Sequence, residues 1–164
     1  MKNIVLIGMP GTGISTVGVL LAKSLLMDFC DTDLIIQKKF SLPLCDIIAD
    51  IGTEGFIKAE DEILADIKLE NTVIATGGSA VYGKNAMSNL KKNSITVYLD
   101  TPLAELEKRL LNIHTRGVAM KEGTTLSDLF KEREPLYKKY ADITVGCVGL
   151  TPEECVEKIV NSLK

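Results

Sequence analysis

The sequence predicts an α/β fold, a parallel sheet covered by helices on both faces, and three observations carry that prediction. Short apolar runs recur along the chain, each too brief for a helix. Longer segments with helical apolar spacing separate them, and strands alternating with helices imply parallel pairing through crossovers. Several of the runs end in glycine or aspartate, the residues expected where a sheet's carboxyl edge meets a ligand.

Taken in order, the first strand is IVLI at 4–7, followed by GMPGTGIST and a helical segment, STVGVLLAKSLL, at 15–26. The second is DFC at 28–30, running into CDTD, and a helical span follows at 52–69. TVIA at 72–75 is the third and ends in ATGGS, before the helical GKNAMSNLKK at 83–92. ITVYL at 95–99 is the fourth, and Thr101 before Pro102 marks the start of a helix over 102–112. Residues 112–124, NIHTRGVAMKEGT, carry no strong pattern and read as a mobile lid loop. A helix over 125–140, a fifth strand ITV at 143–145 and a last helix over 151–164 complete the chain. In that last helix Thr151, Pro152 and Glu154 make a capping box with proline at the first helical position.

With 164 residues, the chain is expected to form one domain over 1–164. Its formal net charge is −3, spread without runs, which argues against a nucleic-acid or membrane-surface binder and for small-molecule partners. No apolar stretch reaches membrane-spanning length and no charged leader is evident, so the expectation is a cytoplasmic protein. Cys30, Cys45, Cys147 and Cys155 have no metal-ligand spacing and read as reduced packing residues. His114 is the only histidine, which speaks against a histidine-based nucleophile pair or metal site. Of the nineteen basic residues only Arg109, Arg116 and Arg133 are arginine. Guanidinium is the better bidentate partner for phosphate or carboxylate, so each arginine is a candidate for binding.

The chemistry concentrates at three strand ends. Gly8, Gly11 and Gly13, with Thr12 between the last two, lead into Ile14, Ser15 and Thr16 at the start of a helix. Such a turn aims backbone N–H groups and a helix N-terminus at phosphate, and glycine allows the close approach. Asp31 and Asp33 can divide labour, one holding Mg2+ through water and the other accepting a hydroxyl proton; Asp31 could equally cap the next helix. Gly77 and Gly78, followed by Ser79, would let a ligand lie against backbone N–H groups.

Read together, GMPGTGIST, DTD, ATGGS, VYLD, the segment with Arg116 and REPLYKKYAD resemble the shikimate kinase family over nearly the whole length. The resemblance implies a five-stranded parallel sheet in order 2-3-1-4-5, ATP and Mg2+ as cofactors, and phosphoryl transfer to a hydroxyl of a small cyclic polyol acid. It implies that Gly8, Gly11, Thr12, Gly13, Ile14, Ser15 and Thr16 hold the nucleotide and that Ser15 and Asp31 hold Mg2+. Asp33 would bind and orient the acceptor hydroxyls, as the catalytic carboxylate. Gly77, Gly78 and Ser79 would line the acceptor cleft, and Arg133 would grip the acceptor carboxylate. Arg116 would meet the phosphates as a catalytic lid residue, and Arg109 would lie along the adenine. A monomer is compatible with this family.

The chain also departs from the pattern. Ile14 stands where the phosphate-loop lysine is expected, Ile57 where a substrate arginine is, and Ser79 where a third glycine is. In "GTEGFIKAE" Lys58 is one helical step, about 100°, from Ile57 and so faces elsewhere. Losing one preorganised donor at a charge-developing site costs about 3 to 4 kcal/mol of barrier. A catalytically impaired nucleotide-binding protein and a kinase of another small metabolite are therefore the alternatives.

Overall fold

The computed structural model describes residues 2–110 and 117–164. Five strands, β1 (Asn3–Ile7), β2 (Asp28–Asp31), β3 (Thr72–Ala75), β4 (Ser94–Asp100) and β5 (Ile143–Gly146), form one parallel sheet in the order β2-β3-β1-β4-β5. The sheet order implied by the resemblance is the one observed. Ile4 pairs with Val73 on one side and Ile95 on the other, so β1 is central.

Seven helices follow the strands among the described residues: α1 (Ile14–Leu25), α2 (Thr32–Phe40), α3 (Leu44–Asp66), α4 (Lys84–Lys91), α5 (Leu103–Arg109), α6 (Leu126–Tyr140) and α7 (Pro152–Ser162). Strand residues alternate between the two faces. Val5, Ile7, Ile74 and Tyr98 point into a large apolar cluster shared with Ile36, Phe56, Leu64, Met87, Leu129 and Tyr137. Ile4, Leu6, Val73, Val97 and Leu99 point the other way, against Val17 and Leu21 of α1 and Val156 and Ile159 of α7.

Three boundaries differ from the sequence expectation. The helix expected from residue 52 begins at Leu44 and passes through a break at Gly52, φ 77° and ψ 170°, which no side chain obstructs. The helix Thr32–Phe40 enters the sequence expectation only as the one that Asp31 could cap. Thr101 does not cap α5: the capping position is Pro102, and the buried Thr101 hydroxyl finds no partner among the described residues. Thr151 and Glu154 do form the expected capping box, and Thr125 with Asp128 forms another at α6. Among the described residues no helix is long and apolar enough to cross a membrane.

Candidate active site

The loop between β1 and α1 is shaped by Gly11 and Gly13, both at positive φ (86° and 87°), a region open to glycine without strain. Gly13 is the capping residue of α1 and no side chain accepts from the first turn. The first N–H groups of the helix therefore remain available to an anion. Gly8 is required by contact: a Cβ there would lie 2.9 Å from the Leu99 carbonyl oxygen. Thr12 is buried beneath the loop, its hydroxyl unpartnered among the described residues. The side chain of Ile14 folds inward rather than out over the cradle. It is 8% exposed, belongs to the α1/α7 cluster, and its Cδ1 would sit 3.4 Å from a Cβ at Gly8.

β2 delivers the two aspartates to the same edge. Ser15 Oγ donates to Asp31 Oδ2 at 2.9 Å, while the Asp33 backbone N–H donates to Asp31 Oδ1 at 2.9 Å. Asp31 thus caps α2 and joins the loop at once. The hydroxyl and the carboxylate are hard oxygen donors side by side, a fit to Mg2+ that takes its remaining ligands from phosphate and water. Among the described residues no cluster of three His, Cys, Asp or Glu offers an all-protein metal cage. The Asp33 carboxyl turns inward, where a Cβ on Gly77 would approach Oδ1 to 2.7 Å. Burial, and secondarily the Asp31 charge, push its pKa up to about 6.

A cavity of about 330 Å3 opens at this edge, lined by Gly11, Gly13, Ile14, Ser15 and Thr16 on one side. Asp33, Gly77, Gly78, Ser79 and Arg133 line the other, with Phe56 and Ala119 between. Arg133 is 1% exposed, and α6 carries it to the wall beside Gly78. Its Nη2 donates to the Ala119 carbonyl at 2.7 Å, its Nε to the Tyr82 hydroxyl at 3.3 Å, and its face lies over the Tyr82 ring. Nη1 would be 2.7 Å from a Cβ on Gly78. Among the described residues no carboxylate forms an ion pair with this guanidinium.

Most of the sequence-expected residues converge. Gly8 and Thr12 belong to the loop that bounds the cavity but do not line it, and Asp31 is one hydrogen bond from its wall. Arg109 stands outside the wall, donating from Nη1 to the Gly11 carbonyl at 3.2 Å and from Nε to Glu105 at 3.1 Å. Arg116 and residues 112–115, His114 among them, lie outside the described residues. The neighbouring Gly117 and Val118 line the cavity, and Thr53 Oγ1 donates to the Met120 carbonyl at 3.0 Å. Phe56, not Ile57, forms the wall; Ile57 packs half-buried against the larger cluster.

Two participants are absent from the sequence expectation. Tyr137, one helical turn beyond Arg133, donates its hydroxyl to the Gly78 carbonyl at 2.7 Å and stacks on Tyr98. Its spacing from Arg133 in REPLY is the signal that could have found it. Glu60, the last residue of GTEGFIKAE, is 1% exposed and accepts from Ser79 Oγ at 2.6 Å. Burial raises its pKa to about 8; the Ser79 hydrogen bond and Arg133 oppose that rise, and Asp33 and Asp61 add to it.

A family model described as shikimate kinase matches residues 10–164. A shikimate kinase of Thermodesulfovibrio yellowstonii is 38% identical over 163 residues, 98% of this chain and 94% of that protein. Human threonine synthase-like 1 is 37% identical over 166 residues; the match takes in 99% of this chain and only 22% of that protein. Among solved structures, the shikimate kinase from Acinetobacter baumannii in complex with shikimate superposes with a TM-score of 0.88 at 32% identity. That superposition covers 99% of this chain and 93% of the other.

Proposed function

Since the chain belongs to the shikimate kinase family, we propose that it transfers the γ-phosphoryl group of ATP to a hydroxyl of a small cyclic polyol acid, of which shikimate is the first candidate. One observation carries the acceptor half of this reading: a buried guanidinium, Arg133, without a carboxylate partner among the described residues, faces the same cavity as the phosphate loop and Asp33. An unpaired buried charge is costly, and a ligand carboxylate would relieve it.

The backbone N–H groups of residues 11–16 would cradle the phosphates, with Arg109 along the adenine and Arg116 on the phosphates. Ser15 and Asp31 would hold Mg2+, which when bound neutralises charge on the β- and γ-phosphoryl oxygens. Asp33, ionised at neutral pH yet more basic than an ordinary aspartate, would accept the hydroxyl proton as the phosphoryl group is transferred. Gly77, Gly78 and Ser79 would lie along the acceptor, and Arg133 would fix its carboxylate. Residues 112–124 would close over the site as a lid, excluding water. This reading takes the protein as a cytoplasmic monomer, one domain over 1–164, whose partners are its nucleotide and its acceptor.

Ile14 brings no cation to the phosphates, which supports a slow rate and favours a second reading: a nucleotide-binding protein without turnover. ADP release from Mg-ATP, followed with shikimate, quinate and related hydroxy acids, separates the two. Acceptor-dependent release that rises at least tenfold in Ile14→Lys is expected, in line with the weight of one charge-stabilising donor. Release independent of every acceptor in both versions, with nucleotide binding intact, would establish the second reading.

A further inference from the structure

A carboxyl and a guanidinium flank two adjacent glycines in the acceptor half of the cavity. A Cβ on Gly77 would lie 3.4 Å from Glu60 Oε2, and one on Gly78 would lie 2.7 Å from Arg133 Nη1. A carboxyl and a guanidinium, each 1% exposed, thus flank consecutive residues without forming an ion pair. An ionised carboxyl that reached a buried guanidinium would pair with it, since an unpaired buried charge is costly. Ser79 is the group placed to hold the carboxyl elsewhere. Its hydroxyl holds Glu60 Oε1 at 2.6 Å, while Oε2 stays buried without a partner among the described residues.

We propose that Ser79 determines the specificity of the acceptor site: by holding Glu60, it keeps that carboxyl off Arg133 and leaves the guanidinium open to an anionic ligand. This rests on the reading of the cavity as the site of a hydroxy-acid acceptor. The groups facing Glu60 are Ser79 after β3, Asp33 on α2, Arg133 and Tyr137 on α6, and Asp61 on its own helix. Asp33 and Asp61 oppose its ionisation, as burial does, so the neutral acid is the form that Ser79 holds at neutral pH. Ionised Glu60 would be an internal rival to the ligand carboxylate. With Ser79 gone, Oε1 loses its partner and the carboxyl is free to turn to Arg133, whose charge favours its ionisation.

The test uses Ser79→Ala, Glu60→Gln and the double variant in the whole protein. Affinity for shikimate without nucleotide is measured by calorimetry, and the Glu60 carboxyl is titrated by carbon NMR without ligand. Ser79→Ala is expected to weaken shikimate binding about tenfold, and Glu60→Gln in that background to restore it to within about twofold of wild type. Loss of the Ser79 hydrogen bond alone would move the Glu60 titration to higher pH, so the expected move to lower pH in Ser79→Ala is the mark of a new partnership with Arg133. Unchanged affinity in Ser79→Ala, a Glu60 titration that stays or moves to higher pH, or a double variant as weak as Ser79→Ala would overturn the proposal. If the wild type binds no shikimate, the hydroxy-acid reading falls, and the ligand-free titration alone decides between competition for Arg133 and its absence.

Discussion

Glu60 holds a proton well above the ordinary carboxylate range, and that ties its burial to the stability of the fold. Its pKa rises on folding from 4.5 to about 8, so the native state binds a proton that the unfolded chain releases. Stability contributed by that proton is greatest below pH 4.5 and falls as pH climbs towards 8. Glu60→Gln, which cannot ionise, should match the wild type in urea denaturation at about pH 4 and exceed it at about pH 9 by about 2 to 4 kcal/mol. Under the proposed reaction Asp33 gives a second readout, since its carboxylate would have to be ionised to take a proton. kcat/KM should fall as pH drops through about 6, and Asp33→Asn should lose about 10² to 10⁴ in rate at every pH. Asp33 and Arg133 are legible in the sequence because they stand in local patterns with recognisable spacing. Glu60 is not: it stands in a recognisable motif, but nothing local says that a helix residue will meet Ser79 nineteen positions later. Only the crossover that sets α3 against the turn after β3 creates that pair.

Among elements, α3 shows where periodicity misleads. Leu44, Ile47, Ile48 and Ile51 already follow a helical spacing, but the glycine after them reads as a boundary. The chain instead takes φ 77° and ψ 170° at Gly52 for one residue and resumes as a helix on the far side. That conformation is open to glycine and strained for other residues, and no neighbouring atom crowds the position. Gly52→Ala should therefore cost about 1 to 3 kcal/mol in urea denaturation through backbone strain alone. Thr151→Ala, which removes the accepting half of the α7 capping box, should cost about 1 kcal/mol. The strands can be read to within about a residue because buried parallel strands are almost pure apolar runs, whereas helix ends depend on caps whose partners lie a turn away.

For the whole molecule, the alternation of β1 divides the interior in two. Val5 and Ile7 face the cluster beneath the acceptor side, and Ile4 and Leu6 face the cluster shared by α1 and α7. The loop after β1 is anchored in both, by Met9 in the first and Ile14 in the second, so nucleotide binding should be felt by the entire fold. Mg-ADP at about 100 times its Kd should raise stability by roughly 2.7 kcal/mol, visible as a higher Tm. The same arrangement gives Ile14 a double position, at the mouth of the phosphate cradle and inside a hydrophobic cluster. Lysine there would bring a cation to the phosphates of the proposed nucleotide, and would also withdraw an almost fully buried aliphatic side chain, a loss of about 1 to 2 kcal/mol. Ile14→Lys should thus turn over faster and melt lower. The core itself therefore favours the isoleucine: any route to lysine passes through a less stable protein, so selection for endurance alone would hold the isoleucine where it is.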